Sequence, residues 1–221
     1  MERIYTFDTA LASTHSLILE RVPEKTKVLE IGTASGYLGE YLIHEKKCSV
    51  WGVEPERELY EDAQRVGYEK LFNETVEAFL ECNYAQKESF NVLLLADVLE
   101  HMARPDGVLV RLVGLLKEGG HAVISLPNVA NYAIRWQLLT GRWDPQDAGI
   151  MDKTHLHFYT KKTIKNLIER SGLIIESMRP AAGHIERFGK RKLLGIGKKL
   201  LFLWPEFFAT QFVVVARKKA E

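Results

Sequence analysis

Two neighbouring histidines, His155 and His157, are the most direct candidates for chemistry in this sequence. Imidazole titrates near neutral pH, so either ring could act as a general base that takes a proton from a reacting group. The alternative interpretation is that one of the two is a structural histidine bonded to a loop carbonyl. Both lie in the segment 149–159.

A glycine turn with an acidic partner forms a second candidate site. Gly32 and Gly36 bracket the turn, Glu30 precedes it, and Glu54 follows about twenty residues after it. Glycine lets the backbone approach a ligand closely, and an acidic side chain at this spacing can accept both hydroxyls of a ribose. The alternative interpretation of Glu54 is an acid that stabilises a helix N-terminus beside Pro55. Together the two features predict a ligand that contains a nucleoside.

The turn differs from the dinucleotide pattern G-x-G-x-x-G. Ala34 stands at its middle position and the spacing is different. This argues against a nicotinamide-dependent oxidoreductase.

Apolar runs that alternate with helical patterns must position these residues. The predicted strands of the first half lie at 27–31, 49–53, 70–72, 90–96 and 121–126, and a leading helix at 8–22 precedes them. A further helix is expected at 106–116, closed by Gly119 and Gly120. Strands alternating with helices call for a doubly wound parallel sheet with right-handed crossovers.

After Pro127 the alternation stops. We expect a helix at 128–140, an irregular stretch at 142–159, a helix at 160–171, and strands at 173–178 and 211–216. The predicted fold class is therefore α/β, with a Rossmann-like, doubly wound, mostly parallel seven-stranded sheet and an inserted acceptor-side cap. A single domain over 1–221 would comprise a leading helix (1–24), a cofactor-binding core (25–127), the cap (128–159), and a sheet-completing part (160–221) with an insertion at 186–205.

Composition excludes several classes of function. The chain has 221 residues and a formal net charge of +1, so no global field would attract nucleic acid, and no N/D-P-P-Y/F motif for base amines occurs. Two cysteines are too few for a disulfide framework, and the first ten residues do not resemble a signal peptide. These features predict a cytoplasmic protein without a nucleic-acid partner; the oligomeric state cannot be read from the sequence.

The motifs, taken in order, resemble those of class I S-adenosylmethionine-dependent methyltransferases. Val28 to Gly36 is similar to their first motif, Trp51 to Glu54 to their second, and Leu116 to Gly120 to their post-strand turn. Ala96 to His101 resembles the D/E-V-L-E-H motif of the branch that contains ubiquinone-biosynthesis O-methyltransferases. The resemblance covers about residues 25–127, and Ala34 departs from the usual middle glycine.

This resemblance implies S-adenosylmethionine as cofactor and S-adenosylhomocysteine as product. Glu30 and Gly32 would contact the amino-acid end of the cofactor, Gly36 would complete the turn, and Glu54 would bind the ribose. The remaining residues expected on the cofactor side are Glu74 and Thr75 near the adenine, Ala96 and Asp97 near the methionine, and His101. The sulfonium methyl is already activated, so the protein mainly has to align the reacting groups, and a hydroxyl acceptor additionally needs a base.

The second half resembles methyltransferases of cell-surface polysaccharide and glycan biosynthesis. The shared features are Pro127 with Asn128 and Asn131, Gly141 with Trp143, and the segment from Gly149 to Phe158. We therefore expect a small or glycan-type acceptor methylated on oxygen or nitrogen, bound by Asn128, Asn131, Trp143 and Tyr159. A zinc site of His155, His157, Asp152 and His101 lacks a recognised ligand spacing, so no metal is expected.

Two alternatives stay open. The basic and apolar segment 187–204 could contact a membrane surface weakly, or it could be a helix that packs its apolar residues inward. The whole chain could also be a non-catalytic, cofactor-binding partner that regulates another enzyme, for example in methionine biosynthesis. The two histidines on the acceptor side favour the enzyme.

Overall fold

Seven strands form one mixed sheet in the computed structural model, which describes residues 13–181 and 199–219. The strands are β1 (Lys27–Ile31), β2 (Ser49–Val53), β3 (Lys70–Phe72), β4 (Phe90–Ala96), β5 (Leu116–Pro127), β6 (Leu173–Ala181) and β7 (Gln211–Lys218). Their order in the sheet is β3-β2-β1-β4-β5-β7-β6. This confirms the predicted seven-stranded, Rossmann-like sheet.

The first five strands are parallel, and β7 runs antiparallel between β5 and β6. β2 and β3 lie on one side of β1 in the sheet, whereas β4 and β5 lie on the other side. The loops after the parallel neighbours β1 and β4 therefore leave the same edge of the sheet side by side. An open α/β sheet binds its ligands at this kind of edge.

Eight helices with defined bounds surround the sheet in the described residues. They are α1 (Thr14–Arg21), α2 (Tyr37–His44), α3 (Arg57–Ala63), α4 (Val76–Glu81), α5 (Pro105–Val113), α6 (Tyr132–Leu139), α7 (Lys161–Arg170) and α8 (Pro205–Phe208). Short 3-10 helices lie at Gln64–Val66 and Leu99–His101. Side chains of Ser13, Thr75 and Thr160 accept hydrogen bonds from the first turns of α1, α4 and α7 and thereby define where these helices begin.

Each face of the sheet packs against its own hydrophobic core. In β4, Leu93 and Leu95 belong to one core, whereas Val92 and Leu94 belong to the other. This alternation follows from the two-residue period of a strand, and burial on both faces explains why β4 is apolar throughout. The resulting scaffold holds the ends of the parallel strands in place.

Several predicted boundaries are wrong. Gly119 and Gly120 do not close a helix, because α5 already ends at Val113 and β5 begins at Leu116. The glycines lie inside β5, where the pairing with β4 shifts register between Phe90 and Val92. The helix expected at 128–140 begins only at Tyr132, since the preceding residues form a turn.

Parts of two predicted segments lie outside the described residues. The leading helix is seen as α1, and residues 1–12 are not described. Of the basic segment 187–204, only residues from 199 onward are described; Leu201 is buried, whereas the side chains of Phe202 to Trp204 are largely exposed. Over the described ranges, no helix is both long enough and apolar enough to cross a membrane.

Candidate active site

The loop after β1 makes the glycine turn. Gly32 has a φ of +72° and Gly36 a φ of +85°, both in the left-handed region that favours glycine. A Cβ on Gly32 would lie 2.8 Å from Cγ2 of Val98, which follows β4. The missing side chain therefore lets the loops after β1 and β4 pack directly against each other.

Glu54, at the end of β2, fixes this turn. Its Oε2 accepts a hydrogen bond from the backbone N–H of Ala34 at 2.8 Å, and its Oε1 accepts one from the N–H of Glu56 at 3.0 Å. The residue is only 5% exposed, and burial raises the pKa of its carboxyl. Each oxygen keeps a lone pair, so Glu54 can still accept hydrogen bonds from a ribose while it holds the turn.

Glu30 lies beneath the turn and is buried. Its Oε2 accepts a hydrogen bond from the hydroxyl of Tyr68 at 2.8 Å, and desolvation by burial raises its pKa to about 8. The Tyr68 ring fits here because Gly39 and Gly52 have no side chains; a Cβ on Gly39 would lie 1.9 Å from the Tyr68 hydroxyl oxygen. Tyr68 belongs to none of the sequence motifs, although a glycine inside a helix and another inside a strand are typical of close approach.

The loop after β3 contains the two residues expected near an adenine. Thr75 caps α4 by accepting a hydrogen bond from the N–H of Ala78 at 3.3 Å. Glu74 accepts one from the Tyr84 hydroxyl at 2.9 Å, and the Tyr84 ring stacks on Phe72 with 4.8 Å between centroids. Oε2 of Glu74 is buried and has no hydrogen-bond partner in the described ranges. This oxygen is a free acceptor for a polar edge of a ligand.

Ala96 ends β4, and Asp97 begins the loop that follows. Asp97 has a φ of +53°, and its carboxylate accepts hydrogen bonds from the Ser125 hydroxyl at 2.7 Å and the Gln211 amide at 2.8 Å. Gln211 in turn accepts a hydrogen bond from the hydroxyl of Thr14. Burial raises the pKa of the Asp97 carboxyl. Ser125 and Gln211 have no sequence signal, because they come from β5 and β7 and meet Asp97 only in the folded sheet.

A cluster of Glu100, His101 and His155 lies directly beyond Asp97. Oε1 of Glu100 is 4.0 Å from Nε2 of His155, and the rings of His101 and His155 meet edge to face with 4.7 Å between centroids. The backbone N–H groups of Leu156 and His157 donate to the carbonyl of Glu100 at 2.8 and 3.1 Å. These bonds hold the segment 149–159 against the end of β4.

The two candidate bases are in different surroundings. The side chain of His155 is 6% exposed and lies in the cluster, whereas Nε2 of His157 is 3.5 Å from the carbonyl oxygen of Ala103. Burial and the neighbouring His101 lower the pKa of His155, so its imidazole is neutral at neutral pH. His155, rather than His157, therefore has its side chain beside Glu100.

Asn128 and Asn131, which were expected to bind the acceptor, make structural contacts in the fold. Both are buried, and their side-chain amides donate to backbone carbonyls at 2.9–3.2 Å. These carbonyls belong to residues 206 and 208 of α8 and to residue 209, which lies between α8 and β7. The two asparagines thus attach the turn after β5 to α8 and to the residue that follows it.

Aromatic residues border the cluster on the side of the segment 149–159. Trp143 is 45% exposed and meets Phe158 edge to face with 5.0 Å between centroids. Tyr159 is 7% exposed and packs into the core, so it does not present an open stacking face. Its hydroxyl lacks a hydrogen-bond partner among the residues described, and burial raises its pKa.

These residues fit the cofactor that the sequence motifs imply. The loops after β1, β2 and β4 meet at one edge of the sheet, and Glu54 and Glu74 offer acceptor oxygens there for a ribose and for a polar base edge. Bound at this edge, S-adenosylmethionine supplies an activated methyl group on a sulfonium.

Comparison with known proteins agrees with this geometry. A family model described as a methyltransferase domain matches residues 3–178. No curated protein sequence matches the chain. A Thermotoga maritima structure, described as an S-adenosylmethionine-dependent methyltransferase and possible histamine N-methyltransferase, is similar at 18% identity. That alignment covers 94% of this chain and 88% of the other, with a TM-score of 0.66.

Two further solved structures have the same fold. An S-adenosylmethionine-dependent methyltransferase from Mesorhizobium loti is 16% identical over 92% of this chain and 96% of its own, with a TM-score of 0.64. A Haloferax volcanii protein solved with the Trm112 methyltransferase activator is 14% identical over 94% of this chain and 89% of its own, with a TM-score of 0.65. At these identities the likeness shows the fold alone.

The family match extends over most of the chain and includes the glycine turn, Glu54 and the loop after β4. The chain belongs to the methyltransferase-domain family, and its cofactor is S-adenosylmethionine.

Proposed function

We propose that this protein transfers a methyl group from S-adenosylmethionine to an oxygen or nitrogen of a small or glycan-type acceptor. The observation that carries the proposal is the position of His155. The segment 149–159 is hydrogen-bonded across the end of β4 and brings this buried, neutral imidazole beside Asp97 and Glu100. This position supports a role for His155 as a general base at the sheet edge where the family's cofactor binds.

In the proposed mechanism, His155 orients or deprotonates the acceptor. A hydroxyl or ammonium proton of the acceptor would pass to Nε2 of His155, whose Nδ1 is 3.2 Å from the carbonyl oxygen of Ile150. That contact orients the ring, because Nδ1–H can donate to the carbonyl and leave the Nε2 lone pair free. Glu54 would hold the ribose of the cofactor, and Gly32 would allow its amino-acid end to approach the turn.

A polar acceptor with an apolar ring face, such as a sugar, suits the surroundings of His155. Trp143 and Phe158 provide partly exposed aromatic surface beside the histidine, and aromatic rings stack well on the apolar faces of sugars. A role in cell-surface polysaccharide or secondary metabolism, and a cytoplasmic location, belong to the same proposal.

Two measurements test the proposal. Calorimetry with S-adenosylmethionine and S-adenosylhomocysteine should show binding of both, and absent binding of both would overturn it. A cofactor-turnover screen with nucleotide sugars, lipid-linked glycans and small phenols should then identify the acceptor class. Binding without turnover on any acceptor would favour the non-catalytic, regulatory alternative.

A further inference from the structure

Glu100, His101 and His155 form the one group of potential metal ligands that the described residues bring together. Each residue offers one ligand atom, and these atoms lie within 4.8 Å of one another. Glu100 and His101 come from the 3-10 helix after β4, whereas His155 comes from the segment 149–159, so the fold creates the group from two distant parts of the chain.

The carboxylate of Glu100 is the strongest sign of a missing partner. The residue is 1% exposed, and neither of its side-chain oxygens has a hydrogen-bond partner within the described residues. A carboxylate buried without a partner is costly. A bound cation would remove this cost, because it would pair directly with the carboxylate.

Neighbouring side chains determine which ring nitrogen of His101 carries the hydrogen. The hydroxyl of Thr154 donates its only hydrogen to Oδ1 of Asp152 at 2.6 Å, so its oxygen must accept in the 3.0 Å contact with Nδ1 of His101. The hydrogen of the neutral ring is therefore on Nδ1, and the lone pair is on Nε2. Metal-binding histidines are commonly oriented in this way by a hydrogen bond from the other ring nitrogen.

His155 shows the same arrangement. Its Nδ1 faces the carbonyl oxygen of Ile150 at 3.2 Å, which can only accept, so the hydrogen is on Nδ1. The lone pair is then on Nε2, the atom that lies 4.0 Å from Oε1 of Glu100. A separation of this size is too long for a hydrogen bond but is spanned by a metal ion with bonds of about 2 Å to each ligand.

We propose that Glu100, His101 and His155 bind a divalent transition-metal cation such as Mn²⁺, Fe²⁺ or Zn²⁺. Two imidazoles and one carboxylate suit these ions better than Mg²⁺ or Ca²⁺, which prefer oxygen ligands. The nearby carboxylates of Asp97 and Asp152 add negative potential that favours a cation. Three protein ligands leave coordination positions open.

The open positions would take an oxygen atom of the methyl acceptor. This part of the inference rests on the proposed function, whereas cation binding itself does not. Nε2 of His155 has one lone pair, so a bound cation would replace the proton-accepting role that the proposed function gives this ring, and His155 would then be a ligand that positions the acceptor.

Mn²⁺ binding to the chelator-treated full-length protein, followed by electron paramagnetic resonance, tests the site. We expect one bound Mn²⁺ per chain, displaced by Zn²⁺. Glu100→Gln, which keeps the side-chain volume, and His101→Ala, at an exposed position, should each weaken binding at least about tenfold. His121→Ala is the matched control, because His121 lies on β5 and pairs with Glu176 at 3.2 Å.

The outcomes separate the site from the proposed function. No Mn²⁺ or Zn²⁺ binding up to about 1 mM, a weak affinity even for a single site, would overturn the inference, as would equal affinity in all variants. Cation binding without S-adenosylhomocysteine binding would support the site and contradict the proposed function. S-adenosylhomocysteine binding without cation binding would overturn the cation site alone.

Discussion

The carboxylate of Glu54, at the end of β2, accepts a hydrogen bond from the backbone N–H of Ala34, in the turn after β1, at 2.8 Å. The two motifs that suggested a nucleoside site are thus one hydrogen-bonded unit. Ala34 has a φ of +47°, a strained conformation for a residue with a Cβ, and this bond helps to hold it. The residue that would bind the ribose therefore also shapes the turn.

Glu54→Gln should weaken S-adenosylhomocysteine binding by about tenfold or more. The amide has only one acceptor oxygen, so either the Ala34 or the Glu56 N–H loses its partner, at a cost of about 1–3 kcal/mol. Calorimetry measures the affinity. Glu56→Gln, at an exposed position, should bind the product within about twofold of the native protein. Equal losses in both variants would contradict the assignment.

His155→Ala should lower turnover by about 10²–10⁴-fold, the range for a general base. Affinity for S-adenosylhomocysteine should change little, because His155 lies on the acceptor side. His157→Ala should cause a smaller loss, since that ring contacts the Ala103 carbonyl. Steady-state kinetics and calorimetry on both variants check this, and unchanged turnover of His155→Ala would refute the role.

The rate of methyl transfer should rise with pH to a plateau. Burial and His101 lower the pKa of His155 below its usual value of 6.5, and only the neutral ring can accept a proton or a cation. The apparent pKa of the acidic limb should therefore lie below 6.5. A pH–rate profile of kcat/KM measures it, and a limb that lies above this value would argue against His155.

Glu30→Gln should stabilise the protein more at pH 8.5 than at pH 5. The pKa of Glu30 rises from 4.5 to about 8 on folding, so the folded state holds the proton more tightly. Its stability contribution is fully present below pH 4.5 and is lost as the pH rises to about 8. A neutral amide removes this loss, which amounts to a few kcal/mol at most, at about 1.4 kcal/mol per pKa unit.

Urea unfolding of both proteins at the two pH values measures the difference. The amide oxygen can still accept the hydrogen bond from Tyr68, so the contact that holds the buried side chain is kept. An equal effect of the substitution at both pH values would show that Glu30 does not titrate in this range.

Asn128→Ala should lower the free energy of unfolding by about 2–3 kcal/mol, because its buried amide and carbonyl make three hydrogen bonds to backbone groups. The KM for the acceptor should not change if the role is structural. Asn166→Ala, at an exposed position on α7, is the matched control and should stay within about 0.5 kcal/mol of the native protein. A higher KM without lost stability would restore the original interpretation of Asn128.

Local patterns predicted much of the fold. Strands β1, β2, β3 and β4 have the expected bounds. Continuous apolar runs closed by turn residues are typical of buried strands, and β1, β2 and β4 are largely buried, whereas β3 is a partly exposed edge strand. The predicted bounds of β5 and α5 were less accurate. Gly119 and Gly120 are typical of a helix end, whereas pairing with β4 makes β5 begin already at Leu116, so the strand includes both glycines. Such a pairing depends on the neighbouring strand and has no local signal.

The sequence by itself determined the scaffold and the cofactor edge. Glycines and an acidic residue at these spacings must meet where β1 and β2 end, because parallel strands bring their carboxyl ends together. Only the tertiary structure decided which polar side chains face that edge. Asn128 and Asn131 turned inward to satisfy backbone carbonyls near β7, and His155 came to lie 4.0 Å from Glu100, a residue 55 positions earlier in the chain. Contacts of this kind join loops that the folded sheet brings together, so they cannot be predicted from the spacing of residues along the chain.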